Sequence, residues 1–198
     1  MLRKFFRVAP RILNVEKERI SVQNVARFCS AKSVPSRMKA WCLYKYGENN
    51  LPILDDIDVQ TSLKPNQVLV KVKAASLNPI DALMTEGFGS VLFKNLRKFN
   101  KSELPEFPVI LGRDFSGVVA KRGAQVTRVR EGDEVWGTPA VWTRGAFAEY
   151  CCVAQDELAL KPKKLNFIEA ASLPYVHLTM WSALRDAAGL TEENCKNK

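Results

Sequence analysis

Histidine occurs once in the 198 residues, as His177, and cysteine five times, at positions 29, 42, 151, 152 and 195, without a single C-x-x-C spacing. An odd number of thiols so spaced makes neither a disulfide frame nor a zinc site, and all five read as free thiols of a reducing compartment. Cys151 and Cys152 point to opposite faces if they lie on a strand, so they read as strand residues rather than nucleophiles. His177, near a helix start, has no serine or cysteine with which a nucleophilic pair can be argued, and reads as a surface or packing residue. A glycine-rich phosphate loop is missing, as are internal repeats and low-complexity tracts. No segment is expected to cross a membrane.

Acidic residues are scarce at the start of the chain. Of thirty Lys and Arg and 21 Asp and Glu, ten and two fall within residues 1–39, which leaves 20 against 19 for residues 40–198. The basic excess thus belongs to the first 39 residues, and nucleic-acid binding by the remainder is not expected. That opening stretch mixes Arg3, Arg7 and Arg11 with Leu2, Phe5, Phe6, Ile12 and Leu13. It lacks the continuous apolar core of a secretory signal. Residues 1–38 are expected to be a mitochondrial transit peptide, with Arg27-Phe28-Cys29-Ser30 resembling a processing site; a disordered basic tail, favoured by Glu16 and Glu18, stays open. The localisation expected is mitochondrial.

The rest is long enough for one modest core. Strands are predicted over 40–46, 51–59 and 66–74. In the last, Val68, Val70 and Val72 share one face and Leu69, Lys71 and Lys73 the other. Pro79 forces Asn78 extended and opens a short helix over 80–86, stopped by Gly87. Residues 88–104 read as an irregular insertion, either a lid over a cleft or a solvated loop. A further strand is expected from Gly145 through Val153, and Leu158–Pro162 closes the β region. Asn166 and Glu169 have capping-box spacing. Pro174 suits the first turn of a helix over 175–188 with Gly189 at its C-terminus, and Val176, Met180, Ala183 and Ala187 line one side of it.

Glycines recur among β-branched and aromatic residues between Pro105 and Gly137: Gly112, Gly117, Gly123, Gly132. An interior strand glycine marks a bulge, a sharp bend or a close backbone approach. Several in one stretch predict a small, strongly curved β-barrel.

Four blocks, in order and spacing, resemble the medium-chain dehydrogenase/reductase superfamily, in its zinc-free quinone oxidoreductase-like branch. They are Ala75–Asp81 (ASLNPID), Pro108–Val119 (PVILGRDFSGVV), Gly132–Trp136 (GDEVW) and Ala170–Trp181 (AASLPYVHLTMW). The resemblance implies a mainly β fold with flanking helices, a GroES-like substrate domain over 39–165, and connecting helices over 166–198. Zinc-dependent relatives place Cys where Asn78 stands and His where Arg113 stands, so no metal is expected. The resemblance further implies NADPH-dependent reduction of a small-molecule quinone or enone, and a reticulon-type protein as a candidate partner. Hydride transfer needs the nicotinamide held close to an electrophilic carbon in a dry cleft.

By that resemblance Asn78 is the candidate catalytic residue, its amide orienting a carbonyl or the nicotinamide carboxamide; a turn-forming Asn before Pro is the alternative. Tyr175 and Thr179 are the candidate cofactor-binding residues, with helix packing and local hydrogen bonding as the alternative. Arg113 is assigned to the substrate cleft, or else fixes the strand bend with Asp114. Several quinone-reducing relatives carry tyrosines where this chain has Leu83 and Gly89, so their quinone-stacking arrangement is not expected. The family's Rossmann domain would begin after Lys198. The 198 residues are therefore expected to be a fragment or truncated form, inactive alone; a non-catalytic interaction module is the alternative.

Overall fold

The computed structural model describes residues 34–191, and the expected transit peptide and processing site lie outside them. Strand β1 (Arg37–Leu43) buries Met38, Ala40 and Cys42 and turns Arg37 and Lys39 outward. Strand β2 (Ile53–Asp58) pairs antiparallel to it from Arg37↔Asp58 to Cys42↔Ile53. This pairing starts β1 three residues before the expected position. Past Leu43 the chain leaves the ladder, and the Gly47 N–H donates to the carbonyl of Thr85 (2.9 Å). Strand β4 (Val109–Ile110) completes a three-stranded sheet on the other side of β1.

A second antiparallel sheet has the order β7-β3-β5-β6-β8. Its members are β3 (Gln67–Ala74), β5 (Phe115–Arg122), β6 (Glu134–Gly137), β7 (Tyr150–Ala154) and β8 (Leu158–Leu160). Val68 and Val70 point into the main core with Phe115, Val119, Val135, Cys151 and Val153. Full burial of each such side chain stabilises by about 2 kcal/mol. The predicted alternation along β3 holds for Lys71 and Lys73, which are both exposed, and fails at Leu69, which is covered on the opposite face. The bend comes at Gly117 on β5: a Cβ there would lie 2.3 Å from the carbonyl oxygen of Lys71. Only glycine allows β3 and β5 to approach so closely.

Residues 145–149, expected as a strand, instead stitch the two sheets together. Gly145 and Phe147 N–H groups donate to Ile110 and Leu111, Trp41 donates to Phe147 and Glu149 to Lys39, and Val72 donates to Glu149. One bridge, Ala40↔Ala148, marks the crossing. Each sheet keeps its own apolar cluster, Val68 to Leu158 on the five-stranded one and Leu43, Val109 and Leu111 with the helices on the other.

Helix α1 (Pro79–Thr85) begins where Pro79 predicts. The expected irregular insertion contains a ten-residue helix, α2 (Ser90–Phe99). Phe93 and Leu96, one turn apart, pack with Leu43, Met84 and Val109, and that burial supplies the order the sequence alone did not suggest. Gly89 enters α2 with φ 72°, where an added Cβ would meet the Phe93 ring at 2.6 Å. Helix α3 (Phe167–Ala171) carries the capping box: Asn166 Oδ1 accepts from the Glu169 N–H and Glu169 Oε2 from the Asn166 N–H, both at 2.9 Å. The expected helix over 175–188 divides into α4 (Pro174–Trp181) and a π-helical turn, Ser182–Ala187, before Gly189 at φ 63°.

Candidate functional site

The sharp corner between β4 and β5 buries two opposite charges side by side in sequence, Arg113 and Asp114. They do not pair with each other. Asp114 is a hub: its Oδ2 accepts from Asn78 Nδ2 and from Ser76 Oγ, both at 2.6 Å, and its Oδ1 accepts from the backbone N–H of Tyr175 at 2.6 Å. The loop after β3, the β4–β5 corner and the first turn of α4 are thus tied at one carboxylate. Buried polar groups are tolerated when their hydrogen bonds are made, and here three donors converge on one acceptor group.

Asn78 has the extended backbone that Pro79 demands, φ −117° and ψ 155°. It is almost fully buried, and its backbone N–H donates to Asp81 Oδ2 (2.9 Å). Asp81 Oδ1 accepts from the Gly112 N–H at 2.9 Å. Burial pushes the Asp81 carboxyl pKa up, opposed by those two backbone donors. Asp81 therefore locks α1 to the corner that carries Arg113 and Asp114.

Arg113 is turned inward. Its Nη1 donates to the carbonyls of Ala140 (2.8 Å) and Pro139 (3.3 Å), its Nη2 to Ile110 (3.4 Å), and its Nε has no partner. Burial pulls its pKa down from the usual guanidinium value. The pairing with Asp114 considered above is not formed, because Asp114 is saturated by neutral donors while the guanidinium clamps the 139–140 loop. Both side chains serve the corner from opposite sides.

Above this network lies an open groove of about 460 Å³, lined by Thr138 at the end of β6 and by Tyr175, Leu178, Thr179, Ser182 and Ala183 along the helix. Tyr175 and Thr179, the two residues assigned to cofactor contact, share it. The Thr179 hydroxyl also donates to the Tyr175 carbonyl (2.8 Å), the local bond weighed for it. Arg113 is not among the lining groups; it contacts the groove indirectly, its carbonyl accepting from Thr138 Oγ1 (2.6 Å). Asn78 reaches the groove through Asp114, whose other oxygen holds Tyr175.

Sequence reasoning did not single out Ser76, Thr138 or the hub role of Asp114. Ser76 lies two residues before Asn78, the spacing at which extended side chains share a face, which is the signal that was available. No comparable signal marks Thr138. Elsewhere His177 is exposed, its Nδ1 2.9 Å from the Leu173 carbonyl, and Cys151 and Cys152 lie on β7, where burial drives the Cys151 thiol pKa up and pushes that of Cys152 to about 12. Among the described residues no three His, Cys, Asp or Glu side chains gather as metal ligands. Among them, too, no helix is long and apolar enough to cross a membrane.

Residues 64–163 match the family model described as the alcohol dehydrogenase GroES-like domain. A mouse protein named NAD(P)H oxidoreductase RTN4IP1, mitochondrial, is 43% identical over 81% of this chain and 41% of its own length. A tomato 2-methylene-furan-3-one reductase is 38% identical over 78% of this chain and 39% of its own. The solved quinone oxidoreductase of Coxiella burnetii superposes with a TM-score of 0.64 at 38% identity, covering 77% of this chain and 45% of that one. The chain thus spans about two-fifths of the length of such curated relatives. The human and zebrafish proteins of the same name are likewise called mitochondrial, and with the acid-poor N-terminus they place this protein in the mitochondrion. Matched family model, mainly β architecture and ordered motifs together make this chain a member of the alcohol dehydrogenase GroES-like domain family, resembling the N-terminal part of medium-chain dehydrogenase/reductases.

Proposed function

We propose that this chain is the substrate-side domain of an NADPH-dependent mitochondrial oxidoreductase that reduces quinones or conjugated carbonyls. The observation that carries the reading is the tether from Asn78 through Asp114 to the Tyr175 N–H, which fixes α4 beside the open groove. A bound nicotinamide nucleotide would supply the hydride. Tyr175 and Thr179 would hold its nicotinamide end along the groove. The Asn78 amide nitrogen is committed to Asp114 and, at 3.4 Å, to Ser76. Only its Oδ1, which faces the first turn of α1 in a capping box, can accept, so it would meet a carboxamide N–H rather than a substrate carbonyl. Arg113 would act from beneath, by holding the 139–140 loop that leads from Thr138.

The same geometry limits what these residues do alone. The N-terminus of α4 is the nearest helix dipole to the groove, and Asp114 already occupies its first free N–H. A cofactor diphosphate would meet the Asp114 carboxylate at that terminus. A half that binds it would lie in the part of the relatives' length that this chain does not span. Such a half would also cover α4, whose Val176, Leu178, Met180 and Trp181 are exposed. A reticulon-type partner, suggested by a Caenorhabditis elegans relative named reticulon-4-interacting protein 1, is a further proposal with no surface assigned.

The test is to extend the reading frame past Lys198 and assay the longer protein for oxidation of NADPH by a quinone and by an enone. Turnover with either, lost or strongly weakened in KM for NADPH by Tyr175→Ala, is expected. A longer, folded protein that binds NADPH but reduces neither class would overturn the substrate assignment.

A further inference from the structure

Away from the groove, α2 is apolar on two sides. Its inner side, Phe93 and Leu96, is taken up by the core. Its outer side is not: Val91 is 74% exposed, Leu92 58% and Phe99 84%, with Phe88 at 58% just before the helix. Leu92 and Phe99 are seven residues apart and stand on one face, while Val91 and Lys98, also seven apart, share the next. The helix has no acidic residue. Lys94 pairs with Glu106 (3.4 Å), but the ammonium groups of Lys98 and Lys101 have no acidic partner among the described residues. Arg97 faces inward to the Glu106 carbonyl (3.5 Å).

We propose that the outer face of α2 docks on an anionic lipid surface, Leu92 and Phe99 entering the acyl boundary and Lys98 and Lys101 meeting the headgroups. A ten-residue helix is too short to span a bilayer, and this arrangement is that of one lying in the interface plane. A stable protein interface needs roughly 800 Å² per partner; three or four anchors on a short helix ringed by unpaired lysines suit lipid better. Each lysine near an anionic surface strengthens binding about five-fold. The inference does not depend on the reduction chemistry.

The experiment is co-sedimentation of the 198-residue chain with vesicles of phosphatidylcholine alone and of phosphatidylcholine with phosphatidylglycerol. The basic residues 1–39 contribute a background common to every variant. Wild type should bind the anionic vesicles preferentially. Leu92→Asn with Phe99→Ser, and separately Lys98→Glu with Lys101→Glu, should each lose at least about ten-fold in binding. Val176→Ser with Met180→Ser, on the other exposed apolar helix, should lose nothing. Phe99→Ala, the milder change, should lose about five-fold and stands in if circular dichroism shows the first pair unfolded. Equal binding by wild type and the α2 variants would overturn the proposal, as would equal binding to neutral and anionic vesicles or no binding at all. Light scattering that shows wild type dimeric and the α2 variants monomeric would assign the face to a second copy instead, and would overturn it too.

Discussion

The β body and the helical edge that follows it are built on opposite principles. In the body, Val68, Val70, Phe115 and Val135 have no exposed surface and neighbouring strands approach to glycine distance. Along α4, Val176, Leu178, Met180 and Trp181 are each about half exposed, and only Pro174 is buried. The first region is a finished interior. The second is held by its first turn, where Asp114 grips the Tyr175 N–H, and leaves its length open beside the groove. Stability of this chain should reside in the body, and function should depend on where the body aims the helix.

The contrast can be broken most severely at Gly117. Gly117→Val should cost more than about 3 kcal/mol in denaturant unfolding, because the new Cβ strikes the Lys71 carbonyl and cannot move away from it. Asp114→Ala should cost about 2–3 kcal/mol by orphaning three donors, and it should speed amide exchange in α4 more than in β5. Equal acceleration in both would show that the hub does not join the two regions as described. Asn166→Ala should cost about 1 kcal/mol through loss of the α3 cap.

A pH titration sharpens the same division. Asp81 and Glu157 lie against the body, and burial raises both carboxyl pKa values. The folded state therefore keeps these protons to higher pH than the unfolded chain. Their contribution is full below the ordinary carboxylate range and is lost as pH rises through the raised values. Unfolding midpoints should increase as pH falls from neutral toward that range, and Asp81→Asn with Glu157→Gln should flatten the rise. Asp55, held low by the Tyr44 hydroxyl, acts in the opposite sense and only at lower pH. The smallest effect belongs to the exposed edge: Val176→Ser with Met180→Ser should change the stability of this chain by no more than about 0.5 kcal/mol.

Much of the body was legible because its signals are local. Pro79 set the backbone of Asn78, Asn166 and Glu169 announced their cap, and the valines of β3 revealed a buried face. The α2 helix was not legible: Lys94, Asn95, Arg97 and Lys98 break the apolar pattern, and Phe93 and Leu96 gain their core from residues outside the helix, Leu43, Met84, Val109 and Leu111 among them. Residues 145–149 looked like strand because their apolar and aromatic residues run straight into β7, but they divide their hydrogen bonds between two sheets, which no local pattern encodes. At the site, the resemblance pointed to Asn78, Arg113, Tyr175 and Thr179. It could not tell that Asp114, rather than Arg113, would be the group joining Asn78 to Tyr175. That junction is made by contacts 36 and 61 residues apart.

The proposed function has these residues form one wall of a hydride-transfer cleft without holding the cofactor alone. Fluorescence titration of NADPH into the purified 198-residue chain tests it most directly. No saturable binding below the millimolar range is expected, because the Asp114 carboxylate holds the first N–H of α4 and would oppose a diphosphate there. Low-micromolar affinity would contradict the account.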